Sequence, residues 1–224
     1  MLSIIIPVYN EEYILRQNKD YFRSLSESAE VIFVDGGSSD DTIKIAKTYG
    51  HVIKSQKNRA IQMNCGATTA KYDTLLFLHA DSILHEGGVN MIKDAVRHKG
   101  YIGGCFCQNL DQPGLIYKWI ALTGNVRARI SRIFYGDQGI FVRKDIFMQL
   151  GGFPEVDICE DVLFTKNLKK LGKVGVLCQP IHCSARRWIN QGVLKTTFLN
   201  MRITLGLLFG SNHKQLAKLY QDIR

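Results

Sequence analysis

The sequence predicts an α/β fold: one domain on a mostly parallel central sheet flanked by helices, with a helical extension at its C-terminal end. Three observations carry this reading. Short uninterrupted apolar runs, of which Leu75 to Leu78 is the clearest, suit strands buried on both faces better than half-exposed ones. Helical patterns separate the first four such runs, so strand and helix alternate as parallel crossovers require. The runs end abruptly in polar side chains, and in open α/β sheets ligands bind in the crevice beyond the carboxyl ends of the strands.

Residues 2–8 read as the first strand, closed by Pro7-Val8-Tyr9-Asn10. Asn10 is a good N-cap, with Glu11 and Glu12 where carboxylates favour a helix dipole, and the helix is expected to run to Ser28. Residues 31–34 form the second strand. It ends in Asp35-Gly36-Gly37-Ser38-Ser39-Asp40-Asp41-Thr42, a flexible turn feeding a second helix over 41–48. The two glycines let backbone approach a ligand. The pattern is neither G-x-G-x-x-G nor G-x-x-x-x-G-K, so neither a dinucleotide fold nor a P-loop is indicated. A plain turn accounts for the glycines but not for an acid at a second strand end.

A third strand over 51–54 and a helix over 59–70 follow, with Arg59, Gln62 and Asn64 near the start of the helix, whose N-terminus is expected to face the same crevice. The strand over 73–78 then delivers His79 and Asp81, and a helix over 87–98 completes the first half. Beyond residue 100 the order loosens: a strand over 101–108, a partly helical stretch over 114–132, a strand over 138–142 preceded by Gly136-Asp137, a helix opening at Cys159-Glu160-Asp161, and a strand over 174–178. Ser184-Ala185-Arg186-Arg187-Trp188 presents two arginines. The last 35 residues read as two helices broken around Gly210-Ser211-Asn212.

The formal charge of +9 is unevenly placed. Residues 162–224 hold 11 Lys and Arg against the single acid Asp222, so an anionic partner suits this quarter: a diphosphate, nucleic acid or an acidic membrane surface. The six cysteines fall in no zinc-type spacing and read as reduced thiols of a cytoplasmic protein. No basic n-region precedes the first apolar run and no apolar run reaches 18 residues, so neither a signal peptide nor a transmembrane helix is expected.

Four motifs in this order resemble the family 2 glycosyltransferases with the GT-A fold. Ile6-Pro7-Val8-Tyr9-Asn10-Glu11-Glu12 is similar to the family's first strand and nucleotide-binding turn, and Val34-Asp35 to Thr42 to its second-strand signature. Leu78-His79-Ala80-Asp81 stands in the place of the Asp-x-Asp metal motif, and Glu160-Asp161 in that of the catalytic acidic pair. Gly136-Asp137-Gln138-Gly139 and the 184–188 segment are similar to a bacterial subgroup of small members. The likeness covers residues 1–190, which implies a nucleotide-binding half over 1–100 and an acceptor half over 101–190, with 191–224 as the extension.

The resemblance implies an inverting, divalent-metal-assisted transfer from a nucleotide-diphosphate sugar, a UDP-sugar ahead of a GDP-sugar, to an acceptor hydroxyl of a lipid or small molecule. Asp161 would be the general base and Asp81 the ligand of Mn2+ or Mg2+, with His79 where the family has an Asp. Pro7, Tyr9 and Glu11 would border the nucleotide and Asp35 would bond the base. Arg59 and Gln62 would reach ribose or phosphates, and Arg186 and Arg187 the diphosphate. Asp137 would contact a sugar or acceptor hydroxyl, and Glu160, paired with Asp161, would bind substrate. The C-terminal segment is open to four uses: covering the acceptor side, pairing with a second copy, lying on the inner face of the cell membrane if the acceptor is a lipid, or simply capping the core.

Other classes fit less well. A nucleotidyltransferase needs a basic loop after the first strand, where this chain turns acidic. A nucleic-acid binder would interleave aromatic and basic residues, and none do so here. A relative that binds nucleotide without transferring a sugar has only His79 in its favour.

Overall fold

The computed structural model describes residues 1–208 and Leu216; the expected break at Gly210-Ser211-Asn212 lies outside them. Strands β1 (Ser3–Val8), β2 (Glu30–Asp35), β3 (His51–Lys54) and β4 (Thr74–Phe77) run parallel in the order β3-β2-β1-β4. Their crossovers are α1 (Glu12–Gln17) with α2 (Lys19–Ser28), α3 (Thr42–Ala46) and α4 (Arg59–Thr69). The chain continues through β5 (Ser82–Leu84), α5 (Gly88–Arg97), β6 (Gly103–Leu110) and α6 (Leu115–Ser131). A 3-10 turn, Gly136–Gln138, then leads into β7 (Ile140–Arg143), α7 (Lys144–Gln149), α8 (Glu160–Leu171), β8 (Val174–Cys183), α9 (Arg186–Gln191) and α10 (Val193–Leu208).

Strands β1, β2 and β4 are buried on both faces, as the apolar runs require. Alternate residues divide between two cores: Ile4, Ile6, Val31, Phe33, Leu76 and Leu78 lie under α1, α2 and α5. Ile5, Ile32, Val34, Leu75 and Phe77 face α4, α7 and α8. This period of two is the pleat itself, and each such side chain contributes roughly 1.5–3 kcal/mol by leaving water. On the second face Phe77, Phe147, Phe153 and Phe164 stack with ring centroids 4.6 to 5.5 Å apart, locking α7 and α8 against β4.

The second half mixes directions. β7 enters between β4 and β6 antiparallel to both, β8 runs parallel to β6, and the short β5, not expected from the sequence, adds antiparallel to β8. β8 is twice the expected length, reaching Cys183, with a register shift opposite Phe106 and Cys107. These directions decide where the side chains gather. The ends of β1, β2, β4 and β8 and the start of β7 all lie on one edge of the sheet.

Two local readings need correction. The first helix is interrupted at Asn18, whose Nδ2 donates to the Ile14 carbonyl at 3.0 Å and competes with the helical ladder. Asn10 does not cap α1. It takes a left-handed φ of 51°, which Asn tolerates, and its Oδ1 accepts the Ser39 N–H at 2.9 Å.

β6 closes tightly because it begins with Gly103-Gly104. A Cβ at Gly104 would stand 2.2 Å from the Gly175 carbonyl and 2.8 Å from the Phe141 ring. Gly104→Ala is therefore expected to cost roughly 1–3 kcal/mol of overpacking. Thermal unfolding checks this; an unchanged midpoint would contradict the β6–β8 register.

Candidate functional site

The turns after β1 and β2 are stitched to each other. The Asn10 N–H donates to Ser38 Oγ at 2.9 Å, the Glu11 N–H to Thr42 Oγ1 at 2.8 Å and the Gly36 N–H to the Val8 carbonyl at 2.9 Å. Asp35, fully buried, closes its own turn by accepting from Gly37 N at 2.9 Å and Ser38 N at 3.1 Å. This explains the acid that glycines alone did not. Pro7 is half-buried on the same edge, Glu11 is buried, and the Lys57 ammonium sits 3.8 Å from the centre of the Tyr9 ring.

Gln62 is placed otherwise than the sequence suggested. Its Nε2 donates to the Val8 carbonyl at 3.0 Å and the Val34 carbonyl at 2.7 Å, tying the ends of β1 and β2 from beneath. Asn64 likewise exchanges bonds with the Phe153 backbone at 2.8 and 2.9 Å and so serves the fold. Arg59, at the first turn of α4, lies near enough to Glu160 and Asp161 for its charge to lower the pKa of both.

The extension of β4 carries His79 and Asp81 onto this edge. Asp35, at the end of β2, lies across β1 from the end of β4 that leads to them. Asp81 is partly exposed and accepts from the Arg186 guanidinium at 3.4 Å. Arg187 is half-buried on the same helix, and Trp188 packs against the first core.

Gly136 is the meeting point of the second half. Its N–H donates to Asp161 Oδ2 at 2.6 Å, and a Cβ there would lie 2.9 Å from His79 Nε2 and 3.4 Å from Asp161 Oδ2. The other oxygen of Asp161 accepts from Val162 N at 2.7 Å. One turn on, Thr165 Oγ1 accepts the Phe134 N–H at 3.1 Å, so α8 is fastened to the 134–136 segment along one face. Cys159, just before α8, holds a left-handed φ of 62°, an uncommon conformation for this residue type that aims Glu160 and Asp161 into the site.

Four carboxylates thus share one neighbourhood, and their titration reflects it. Burial, with Asp161 nearby, pushes Asp137 up to about 6, against the pull of Arg127 and of the Gln108 amide that donates to its Oδ2 at 2.7 Å. Asp137 Oδ1 is buried without a hydrogen-bond partner among the described residues. Burial and the charge of Asp161 raise Glu160 to about 7. Asp161 is also raised by burial, restrained by the Gly136 and Val162 N–H groups and by Arg59 and Arg127. Arg127 and Gln108 escaped the sequence reading, because nothing in residues 108–127 marks them as site residues. Arg127 stacks 3.5 Å over the Tyr135 ring and donates to Gln138 Oε1 at 3.1 Å.

Residues 3–151 match the profile described as Glycosyl transferase family 2. The chain belongs to that family. A PGL/p-HBAD biosynthesis glycosyltransferase of Mycobacterium tuberculosis is 35% identical over 95 residues, 38% of this chain and 37% of that protein. The fold is that of the GT-A glycosyltransferases. S. aureus TarS 1–349 in complex with UDP superposes with a TM-score of 0.65 at 18% identity, covering 82% of this chain and 60% of that one. The Pyrobaculum calidifontis mannosyltransferase PcManGT, in complex with GDP-Man and Mn2+, gives 0.61 at 16% identity, covering 82% and 56%. The chain spans little more than a third of the length of the curated relatives it matches.

The Mn2+ in that neighbour raises the question of fit. Among the described residues no three His, Cys, Asp or Glu side chains form a metal cage. Asp81 offers one partly exposed carboxylate, which fits an ion of the kind held by one or two carboxylates, with phosphate oxygens and water completing its shell.

Two outcomes follow from this geometry. Glu160 has a folded-state pKa above its unfolded value, so the folded chain takes up that proton first and loses stability as pH rises from about 4.5 to about 7. Glu160→Gln is therefore expected to raise the melting temperature at pH 8 and leave it unchanged at pH 4, at about 2–4 °C per kcal/mol; an equal shift at both pH values would contradict the burial. Gln62→Leu, which strips the donors from two buried strand-end carbonyls, is expected to lower stability by about 1–3 kcal/mol, as measured by denaturant unfolding.

Proposed function

We propose that this chain transfers a sugar from a nucleotide-diphosphate donor, a UDP-sugar first, to an acceptor hydroxyl with inversion at the anomeric carbon. Asp161 is the general base. The observation that carries this reading is the Asp161 carboxylate itself: oriented by two backbone N–H groups, raised in pKa by burial, and set among Asp81, Asp137 and two arginine-bearing elements. The solved structures of TarS with UDP and of PcManGT with GDP-Man support a nucleotide donor on the same fold.

The donor half is residues 1–100. Pro7, Tyr9 and Glu11 border the nucleotide, and Asp35 shapes the base pocket by fixing the turn through Gly37 and Ser38. Arg186 and Arg187 give charge-assisted bonds to the diphosphate, Arg186 exchanging its hold on Asp81 for a phosphate oxygen. Mn2+ or Mg2+, held through Asp81, supplies Lewis-acid neutralisation of the departing diphosphate when bound. His79, beside Gly136, bonds the ribose or a sugar hydroxyl.

The acceptor enters from the half formed by residues 101–190. Its hydroxyl gives its proton to Asp161 as its oxygen bonds the anomeric carbon from the face opposite the diphosphate. The bond from that carbon to the phosphate oxygen breaks, and the nucleoside diphosphate leaves. Asp137, with one oxygen tied to Gln108 and the other open, orients the acceptor hydroxyl. Arg59 and Arg127 draw the Asp161 pKa down against the effect of burial, which favours the ionised base.

Asp161→Asn is expected to retain nucleotide-diphosphate binding and lose transfer by about 10²–10⁴-fold. Thermal shift and single-turnover assays over a panel of UDP- and GDP-sugars with Mn2+ check both. The acid limb of the rate profile is expected above the ordinary carboxylate range, since burial raises Asp161, and to vanish in the Asn variant. Unchanged turnover in that variant removes Asp161 from the mechanism. Nucleotide binding with no transfer by the parent chain leaves a binding protein.

A further inference from the structure

α6 grips the body of the protein by a narrow strip. Of its 17 residues only Ala121 and Ala128 are buried, helped by Asn125, whose amide exchanges bonds with the Gln108 backbone at 2.7 and 2.9 Å. Opposite that strip Leu115, Trp119, Leu122, Val126 and Ile130 stand 78, 63, 51, 43 and 79% exposed. Their spacings of four, three, four and four residues put all five on one face, turned away from the two alanines. A surface helix ordinarily sets polar residues there. A contiguous exposed apolar stripe marks an interaction site.

The charges indicate what covers it. α6 holds Lys118, Arg127 and Arg129 and no acid; Lys118 and Arg129, both exposed, flank the stripe on the same side. α10 repeats the pattern, exposing Leu194, Phe198 and Met201 at 83, 62 and 52% beside Lys195 and Arg202, again without an acid. The two helices are linked through Tyr135: the Arg127 guanidinium stacks on its ring and its hydroxyl lies 3.1 Å from Thr204 Oγ1. A second copy on this face would set cations against cations across a two-fold contact. A nucleic acid has no use for the apolar stripe. A bilayer with acidic headgroups meets both demands, taking the apolar side chains into its headgroup–acyl boundary while Lys and Arg reach its phosphates.

We infer that α6, linked to α10 through Tyr135, is a docking face for an anionic lipid surface. Among the described residues no helix is long and apolar enough to cross a membrane, so this face is one that would lie on a bilayer. This inference rests on neither the nucleotide nor the transfer reaction.

Sedimentation with vesicles tests it, using phosphatidylcholine alone and phosphatidylcholine with phosphatidylglycerol at about three to one. The chain is expected to pellet with the acidic vesicles and to stay in the supernatant with the neutral ones. The combined variant Trp119→Ser, Leu122→Ser, Ile130→Ser should lose that binding and keep its melting temperature, since all three side chains are exposed. Lys118→Glu should weaken it about tenfold or more, at roughly 1 kcal/mol per charge near the surface. The emission of Trp119, taken as the difference between the chain and its Trp119→Phe variant, should shift blue on acidic vesicles.

Equal binding to both vesicles, or binding untouched by the triple variant, overturns the inference. So does a chain that ignores vesicles and sediments as a dimer until the stripe is changed, which makes the face a contact between copies. Trp119 emission already blue in the vesicle-free chain overturns it too, since the stripe is then covered.

Discussion

The hydrogen bond from the Gly136 N–H to the Asp161 carboxylate, 2.6 Å long, holds the two halves of the site in register. It fixes the start of α8 against the segment that enters β7, and β7 is paired with β4, which delivers His79 and Asp81. The residue at 136 must be small, because His79 and Asp161 both crowd the position a Cβ would take. Through this one contact three acids from distant parts of the chain come within electrostatic reach of one another. Thr165, one helical turn further, repeats the fastening at Phe134, so a single face of α8 is indexed to a single loop.

Strand direction does the rest. β2, β1 and β4 are parallel neighbours, so their polar ends emerge side by side. The antiparallel β7 brings its beginning to that edge, and β8, parallel to β6, brings its end. An edge built this way concentrates carboxylates that burial makes reluctant to ionise; the same edge recruits Arg59 and Arg127 to restrain them, and Arg186 pairs with Asp81. A site for a twice-charged diphosphate and a proton acceptor needs both kinds of charge close together, with the cations able to change partners.

Much of this edge was legible in the sequence because an acid directly after a short buried run has few other reasons to be there. Asp35 and Asp81 stood out in that way, and the Glu160-Asp161 pair as two acids opening a helix. Gln62 was misread because a polar residue near a helix start gives no sign of which way it points; here its amide satisfies two strand-end carbonyls. Arg127 and Gln108 were missed because their importance arises only when α6 folds back on β6. β5 escaped because three residues carry too little pattern to read, and the break at Asn18 because a side-chain bond to Ile14 competes with an otherwise good helix. The apolar face of α6 was hidden for a related reason: a partly helical stretch over 114–132 gives no sign of which side the fold buries.

The central claim is that the turns after β1 and β2, the 79–81 segment and the Arg186-Arg187 helix form one binding cleft. Hydrogen–deuterium exchange with and without UDP and Mn2+ tests it most directly. Simultaneous slowing of exchange in peptides covering 7–12, 35–42, 79–84 and 183–188, with the far side of the sheet unchanged, is the expected result. Protection confined to one of these segments, or spread without regard to that edge, would show that the carboxyl ends do not act as a single site.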